Sequence, residues 1–308
     1  MCTQKLHYEL SNFQEKDFDE ILKLYNRAEQ QDLTGRSPGS RELREKLNNP
    51  RINPQGDLLT VKYSGEVVAF LQITPERDIG RLILSCVVDP GHRGKGLSSL
   101  LLNASLSRAE EMGISAVQVC IPRGNNPAAS LLQRKGFVFV RTFLELRAEA
   151  ESVLRQKFHG DIGLVFKFLS PGEESLLMSL QNRCFEGTWG FNPNKEEDIY
   201  YGLSSENASY EDVLLAYRED EPVGYCWMRV GEGDKKGKIL MLGVLPGHRG
   251  KGIAQALLIS AVKNLYRRGV KIVELTADSG NPPACHLYFS AGFKVWSESF
   301  WFAKELAK

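Results

Sequence analysis

The chain has 308 residues, of which 42% are apolar and 25% charged, with a formal net charge of +1. That length suits two domains of roughly 150 residues, each able to bury its own core, and the near-zero charge offers no basis for holding nucleic acid or an anionic membrane. No apolar run reaches a membrane span, no signal-peptide core opens the chain, and the six cysteines (Cys2, Cys86, Cys120, Cys184, Cys226 and Cys285) lack metal-ligand spacing. A reduced, cytoplasmic protein without a metal is expected, with Cys86, Cys120 and Cys226 as buried strand thiols.

In chain order the pattern predicts a strand near Leu6–Leu10 and a helix over Lys16–Glu29. A polar segment with Thr34, Gly35, Pro38 and Gly39 precedes a helix over Ser40–Asn48. A hairpin comes next, Leu58–Tyr63 and Glu66–Ile73 around Ser64-Gly65, and then a strand over Arg81–Val88. Beyond it come a helix from Gly96 to Met112, a strand over Ala116–Ile121, and a helix from Asn126-Pro127 to Gly136. Two short strands, Phe137–Val140 and Thr142–Leu146, close this half, and residues 151–163 read as a linker.

The second half repeats the order. It reads as strand Leu164–Phe168, helix Glu173–Arg183, an aromatic glycine-bearing segment from Cys184 to Pro193, and a hairpin of Val213–Tyr217 with Val223–Val230. Strand Lys238–Val244, helix Ile253–Arg268, strand Lys271–Ala277, helix Pro283–Ala291 and two short strands, Phe293–Trp296 and Glu298–Phe302, complete it. The repeat is also literal: PGHRGKG runs from Pro90 to Gly96 and again from Pro246 to Gly252. An offset of 156 residues relates these loops, Gly124 to Gly280, and Phe137 to Phe293, whereas 155 relate Asp57 to Asp212, so one residue is gained between. A period of half the chain means two copies of a whole domain. Both copies of the loop join an apolar strand to an amphipathic helix. Glycines let the main chain turn tightly there, and the unpaired amides at the helix start favour an anion, so each loop reads as a phosphate cradle.

Arg249, Gly252 and Ala254, then Asn281, then Leu287-Tyr288-Phe289-Ser290-Ala291-Gly292-Phe293 resemble the GNAT superfamily of acyl-CoA-dependent N-acyltransferases. The first copy is similar through Arg93, Gly96, Asn125 and Gly136-Phe137, with Ser98 in place of the usual glycine or alanine. The tandem layout is similar to the mycothiol synthase branch. The resemblance implies an α+β fold of two tandem domains, each a mixed, mostly antiparallel sheet flanked by helices. Residues 1–150 form the non-catalytic copy and 164–308 the catalytic one.

The implied function is transfer of an acetyl group from acetyl-CoA to a primary amine of a small molecule or peptide. Coenzyme A pyrophosphate would lie on Arg249, Gly250, Lys251, Gly252, Ile253 and Ala254, and pantetheine along Leu242, Gly243 and Val244 with Asn281 opposite. Tyr288 would protonate the leaving thiolate, and the acceptor would enter by Thr188, Trp189 and Phe191. In the first copy Val88, Arg93, Gly94, Lys95, Gly96, Leu97, Ser98 and Asn125 could hold coenzyme A as a structural ligand. Leu132 stands there where the second copy has Tyr288.

The strand before the second cradle carries Lys238 where the mycothiol synthase branch has a glutamate base, leaving Glu274, Asp278, Glu186 or a water relay as alternatives. The remaining alternative from another class is a regulatory or structural acyl-CoA-binding protein without turnover.

Overall fold

In the computed structural model, which describes residues 7–33, 37–156, 163–205, 208–231 and 235–306, the two repeats build two compact units. Leu6, Thr34, Gly35, Cys2 and residues 157–162 of the predicted linker lie outside the described residues. Unit one comprises residues 1–140 with 300–308, and unit two comprises residues 141–299.

Unit one contains β1 (Tyr8–Asn12), α1 (Phe18–Asp32), α2 (Ser40–Leu47), α3 (Pro54–Asp57), β2 (Leu58–Tyr63), β3 (Glu66–Glu76) and β4 (Arg81–Val88). It continues with α4 (Leu97–Glu111), β5 (Ala116–Pro122) and α5 (Asn126–Arg134). Its strands run in the order β1-β2-β3-β4-β5, antiparallel except for the parallel β4–β5 pair. Nearly continuous apolar runs such as Val67–Leu71 require cover on both faces. One face packs Leu82 and Val117 against Leu97 and Leu101 of α4, and the other packs Phe70 against Ile21, Leu24 and Leu43 of α1 and α2.

Strand β6 spans Val138–Glu149 without a break, so the two short strands predicted here are one. No glycine or proline interrupts it to force a turn. From Arg141 on, β6 belongs to unit two, where Phe143–Glu149 pair antiparallel with β11 (Ile272–Asp278). The start of the predicted linker is also folded. Helix α6 (Ala150–Leu154) buries Ala150 and Val153 in the unit-two core.

The rest of unit two is β7 (Leu164–Phe168), α7 (Glu174–Phe185), α8 (Glu196–Leu203), β8 (Val213–Arg218), β9 (Glu221–Val230), β10 (Lys236–Val244), α9 (Ile253–Arg267) and α10 (Pro282–Ser290). Helix α8 had no counterpart among the elements expected from the sequence. Strands run β7-β8-β9-β10-β11-β6, again with one parallel pair, β10–β11. Strand β12 (Lys294–Glu305) is likewise one element where two were predicted. Its residues from Phe300 on belong to unit one, where Phe302 is buried in the core. Unit two also has a core on each face: Leu257, Val262 and Val273 with Leu146 on one, Leu177, Ile199 and Tyr225 on the other.

The matched aspartates Asp57 and Asp212 are fully buried, and each meets an arginine. Arg108 of α4 lies 3.1 Å from Asp57, and Arg268, just past α9, lies 2.5 Å from Asp212. Among the cysteines, Cys184, Cys226 and Cys285 are buried, Cys120 is half-buried and Cys86 is exposed. The buried reading of Cys86 fails because β4 and β5 pair only up to Leu84 with Val119, and Cys86 lies where they diverge.

Candidate active site

In unit two β10 and β11 pair from Lys236 with Ile272 to Ile239 with Leu275 and then separate. On its other side β10 stays paired to β9, with a break: Ile239 faces Met228 and Met241 faces Trp227, leaving Leu240 as a bulge. The first copy has no such break, since β3 and β4 pair continuously from Ala69 with Val88 to Glu76 with Arg81. Gly237 lies 155 residues after Leu82, whereas Val244 lies 156 after Val88, so the residue gained by the second copy is the bulge itself. A bulge bends a strand and re-aims the residues beyond it. Here those residues are Leu242, Gly243 and Val244, which lie beyond the point where β10 and β11 part; in the first copy β4 and β5 part at the matching pair, Leu84 with Val119, without a bulge.

Gly243 is needed there for close approach. A Cβ on it would lie 2.8 Å from the Tyr225 ring and 2.9 Å from Cys184 Cβ. The cradle comes next: a turn over Pro246–His248, then Gly250 and Gly252 at φ 74° and 79°. These are left-handed values that favour glycine. A Cβ at Gly250 would meet nothing within 4 Å, so the loop borders open space. Helix α9 begins at Ile253, and its first intrahelical-type bond runs from the Ala256 amide to Gly252 at 3.1 Å. The amides of Ile253 and Ala254 therefore remain available to an anion.

The cradle's cations hold the loop itself. Arg249 donates to the main-chain oxygens of Val244 (3.0 Å) and Cys184 (2.6 Å), and Lys251 to that of Gly247 (2.9 Å). Asn281 caps α10, its Oδ1 accepting from the Ala284 amide at 3.3 Å, and is exposed. Tyr288 is 8% exposed, meets Phe293 edge-on at 6.0 Å between centroids, and its hydroxyl has no hydrogen-bond partner among the described residues. Burial pushes its pKa well above the ordinary 10.0, with Cys226 and Cys285 adding to the rise.

Around the acceptor segment, Asn182 of α7 bonds both ways with the Asn194 main chain (2.9 and 3.0 Å). Thr188 Oγ1 donates to Phe185 at 2.6 Å, and the half-buried Phe191 returns its amide to Thr188 at 3.2 Å. Trp189 packs edge-on against Phe143, and Arg141 lies over its ring at 5.0 Å. Two of the alternative bases are already engaged: Glu274 pairs with Arg147 at 2.5 Å, and Asp278 with Arg141 at 3.4 Å. Glu186 is exposed at the end of α7, and Lys238 is exposed in β10.

Sequence reasoning assigned the second site to the second copy alone and so missed Arg141, Phe143, Glu145 and Arg147 of β6. Their signal was the alternation Arg-Thr-Phe-Leu-Glu-Leu-Arg-Ala, in which Leu144, Leu146 and Ala148 turn to the core.

The first cradle differs in its neighbours. Arg93 makes a two-pronged ion pair with Asp32 of α1 at 2.7 Å on both arms. Asp89, which has Leu245 as its counterpart, accepts from the Gly91 amide at 2.9 Å and pairs with Arg27 at 2.5 Å. His92 is bonded to Tyr8 at 3.0 Å. Val88 is half-buried at the end of β4, Gly94 and Gly96 take φ 73° and 85°, Lys95 bonds Gly91 at 2.9 Å, and Leu97 is buried with Ser98 beside it half-buried. Asn125 caps α5, and Leu132 is core.

Against known proteins, the model of the acetyltransferase (GNAT) family matches residues 18–137 and 175–293. A mycothiol acetyltransferase of Frankia alni is 26% identical over 305 residues, covering 91% of this chain and 89% of its own, and one of Thermobispora bispora is 29% identical over 258 residues, covering 79% and 82%. In fold, the chain is similar to a GCN5-related N-acetyltransferase from Sphaerobacter thermophilus (TM-score 0.78, 24% identity, 97% and 95% covered). It is also similar to a tandem GNAT protein from the clavulanic acid biosynthesis pathway (TM-score 0.76, 15% identity, 98% and 99% covered). With the family model matched in both repeats, over most of its length, the chain belongs to the acetyltransferase (GNAT) family.

Proposed function

We propose that this N-acetyltransferase carries out its chemistry in unit two, moving acetyl from acetyl-CoA to a primary amine of a small molecule or peptide. The observation that carries the reading is Tyr288. It is a buried phenol without a hydrogen-bond partner among the described residues, on the helix that Asn281 caps, in the unit whose β10 carries the bulge. A pure acyl-CoA binder has no use for such a group.

The residues fit coenzyme A. The open cradle and free amides of Ile253 and Ala254 suit a pyrophosphate, and the unpaired side of Leu242–Val244 suits an amide-bearing arm. Arg249 and Lys251 support this by fixing the loop. The Val244 amide is a candidate donor to the carbonyl oxygen as it gains charge.

The acceptor nitrogen forms its bond to the thioester carbon, the carbon–sulfur bond breaks, and the sulfur takes the Tyr288 proton. The proton lost by the amine passes to solvent and restores the phenol. Raised by burial, Tyr288 stays protonated at neutral pH, as a proton donor requires. Lys238 stands where the mycothiol synthase branch has its base, and the relatives' name supports a small acceptor. The first copy, with Leu132 in place of the phenol, is read as a non-catalytic unit whose cradle could hold coenzyme A.

The test is incubation with acetyl-CoA and a panel of glucosamine, spermidine and a glycine-led tripeptide, monitoring thiol release. Gly252→Asp, which sets a carboxylate against the pyrophosphate, should abolish acetyl-CoA binding to unit two by calorimetry. Undiminished binding sinks the cradle assignment, and no turnover with any amine sinks the reaction.

A further inference from the structure

Arg141 reaches the Trp189 segment of the second unit from the first repeat. Its guanidinium lies over the Trp189 ring, 5.0 Å from the centroid, while Nη1 stands 3.4 Å from Asp278 Oδ2. Nε is buried without a hydrogen-bond partner, so the stack and the aspartate set the group's position. Asp278 is fixed in turn, since its Oδ1 accepts from the Gly280 amide at 2.8 Å.

Gly280 borders this arrangement, and a side chain there would push the guanidinium aside. A Cβ there would lie 2.1 Å from Arg141 Nη1. Gly280 is outside the left-handed region, so its backbone does not call for glycine. Its counterpart in the first copy, Gly124, is the reverse: φ is 92° and a Cβ would meet nothing within 4 Å. Glycine serves the main chain in one copy and the passage of a guanidinium in the other.

We propose that Arg141 is a positioning residue for the acceptor, clamping Trp189 against the turn between β11 and α10. The proposal rests on the reading of Thr188–Phe191 as the acceptor segment. Gly187 and Gly190 flank Trp189 at φ 73° and 76°, positions that turn the chain without gripping the ring. Phe143 and Arg141, both from β6, pack on the ring from outside the segment. A cation over an indole face is the strongest pairing of its kind, more so when water is partly excluded. The second unit's acceptor site is thus incomplete without a strand of the first repeat.

The test measures hydrogen exchange over residues 187–193, together with steady-state kinetics using glucosamine and spermidine as amine probes. Arg141→Ala should speed exchange and raise the acceptor KM about tenfold, with the acetyl-CoA KM unchanged. Arg141→Lys, which keeps the charge and guards against a folding failure, should fall between. Gly280→Ala should reproduce Arg141→Ala, and the double variant should be no worse than either. Unchanged exchange in Arg141→Ala, additive loss in the double variant, or a freed segment with an unmoved acceptor KM would each overturn the clamp. If instead Trp189→Ala leaves the acceptor KM unmoved, the acceptor segment was misread and the clamp falls with it. The exchange data would still report whether Arg141 holds the ring.

Discussion

Arg249 of the second cradle donates to the main-chain oxygen of Cys184, one residue before the end of α7, at 2.6 Å. The last carbonyls of a helix lack intrahelical partners and carry its negative end, so a guanidinium satisfies them well. The first copy ties its cradle to its first helix with the same arginine but a different acceptor, the Asp32 carboxylate. Each loop is thereby held by a cross-tie made within the protein.

Arg249→Ala should accordingly lower stability as well as affinity. Losing a charge-assisted bond with its acceptors left behind costs about 1.5–3 kcal/mol, read as a shift in the urea midpoint of unit two. Acetyl-CoA affinity should fall with it. A variant of unchanged stability that loses only affinity would mean that Arg249 serves the phosphate directly.

Deleting Leu240 converts β10 to the uninterrupted register of β4. We expect a folded chain by circular dichroism whose unit two binds acetyl-CoA at least about tenfold more weakly, about 1.4 kcal/mol. Retained affinity would show that binding does not need the residues beyond the bulge to be re-aimed, since β4 and β5 part at the matching pair without one.

Tyr288→Phe should reduce kcat at least about tenfold with acetyl-CoA binding intact, as for loss of a positioned acid. Leu132→Met, in the first copy, should leave kcat nearly unchanged. The raised pKa of Tyr288 also has a stability consequence. Its folded value lies above the unfolded value near 10.0, so its contribution is complete below pH 10 and is lost as pH rises toward the folded value. Stability measured in urea should therefore decline above pH 10, less steeply in Tyr288→Phe than in the wild type.

Removing Arg268 strands the fully buried Asp212 carboxylate. Breaking one side of such a pair costs about 3–5 kcal/mol, so Arg268→Ala should cut the urea midpoint severely. Asp212→Asn in the same background should recover part of the loss, and no recovery would point to lost packing by the arginine stem.

Local features were legible from residues close together in the chain. The two glycine-bearing cradles come from short-range turn chemistry and apolar spacing, and the contrast of Tyr288 with Leu132 from the family resemblance and the 156-residue repeat. The cap expected at Asn126 lies one residue earlier, at Asn125. The offset change from 155 to 156 announced an added residue, but only strand pairing identified it as Leu240. Alternation along Arg141–Ala148 told which side chains share a face, since the period of a strand is two. It carried no information about which strand lies alongside. That β6 pairs with β11, that Arg249 answers Cys184, and that Gly280 makes room for Arg141 depend on contacts between residues 65 to 139 positions apart. Such partners are chosen by the packing of the whole sheet, and only the tertiary structure decided them.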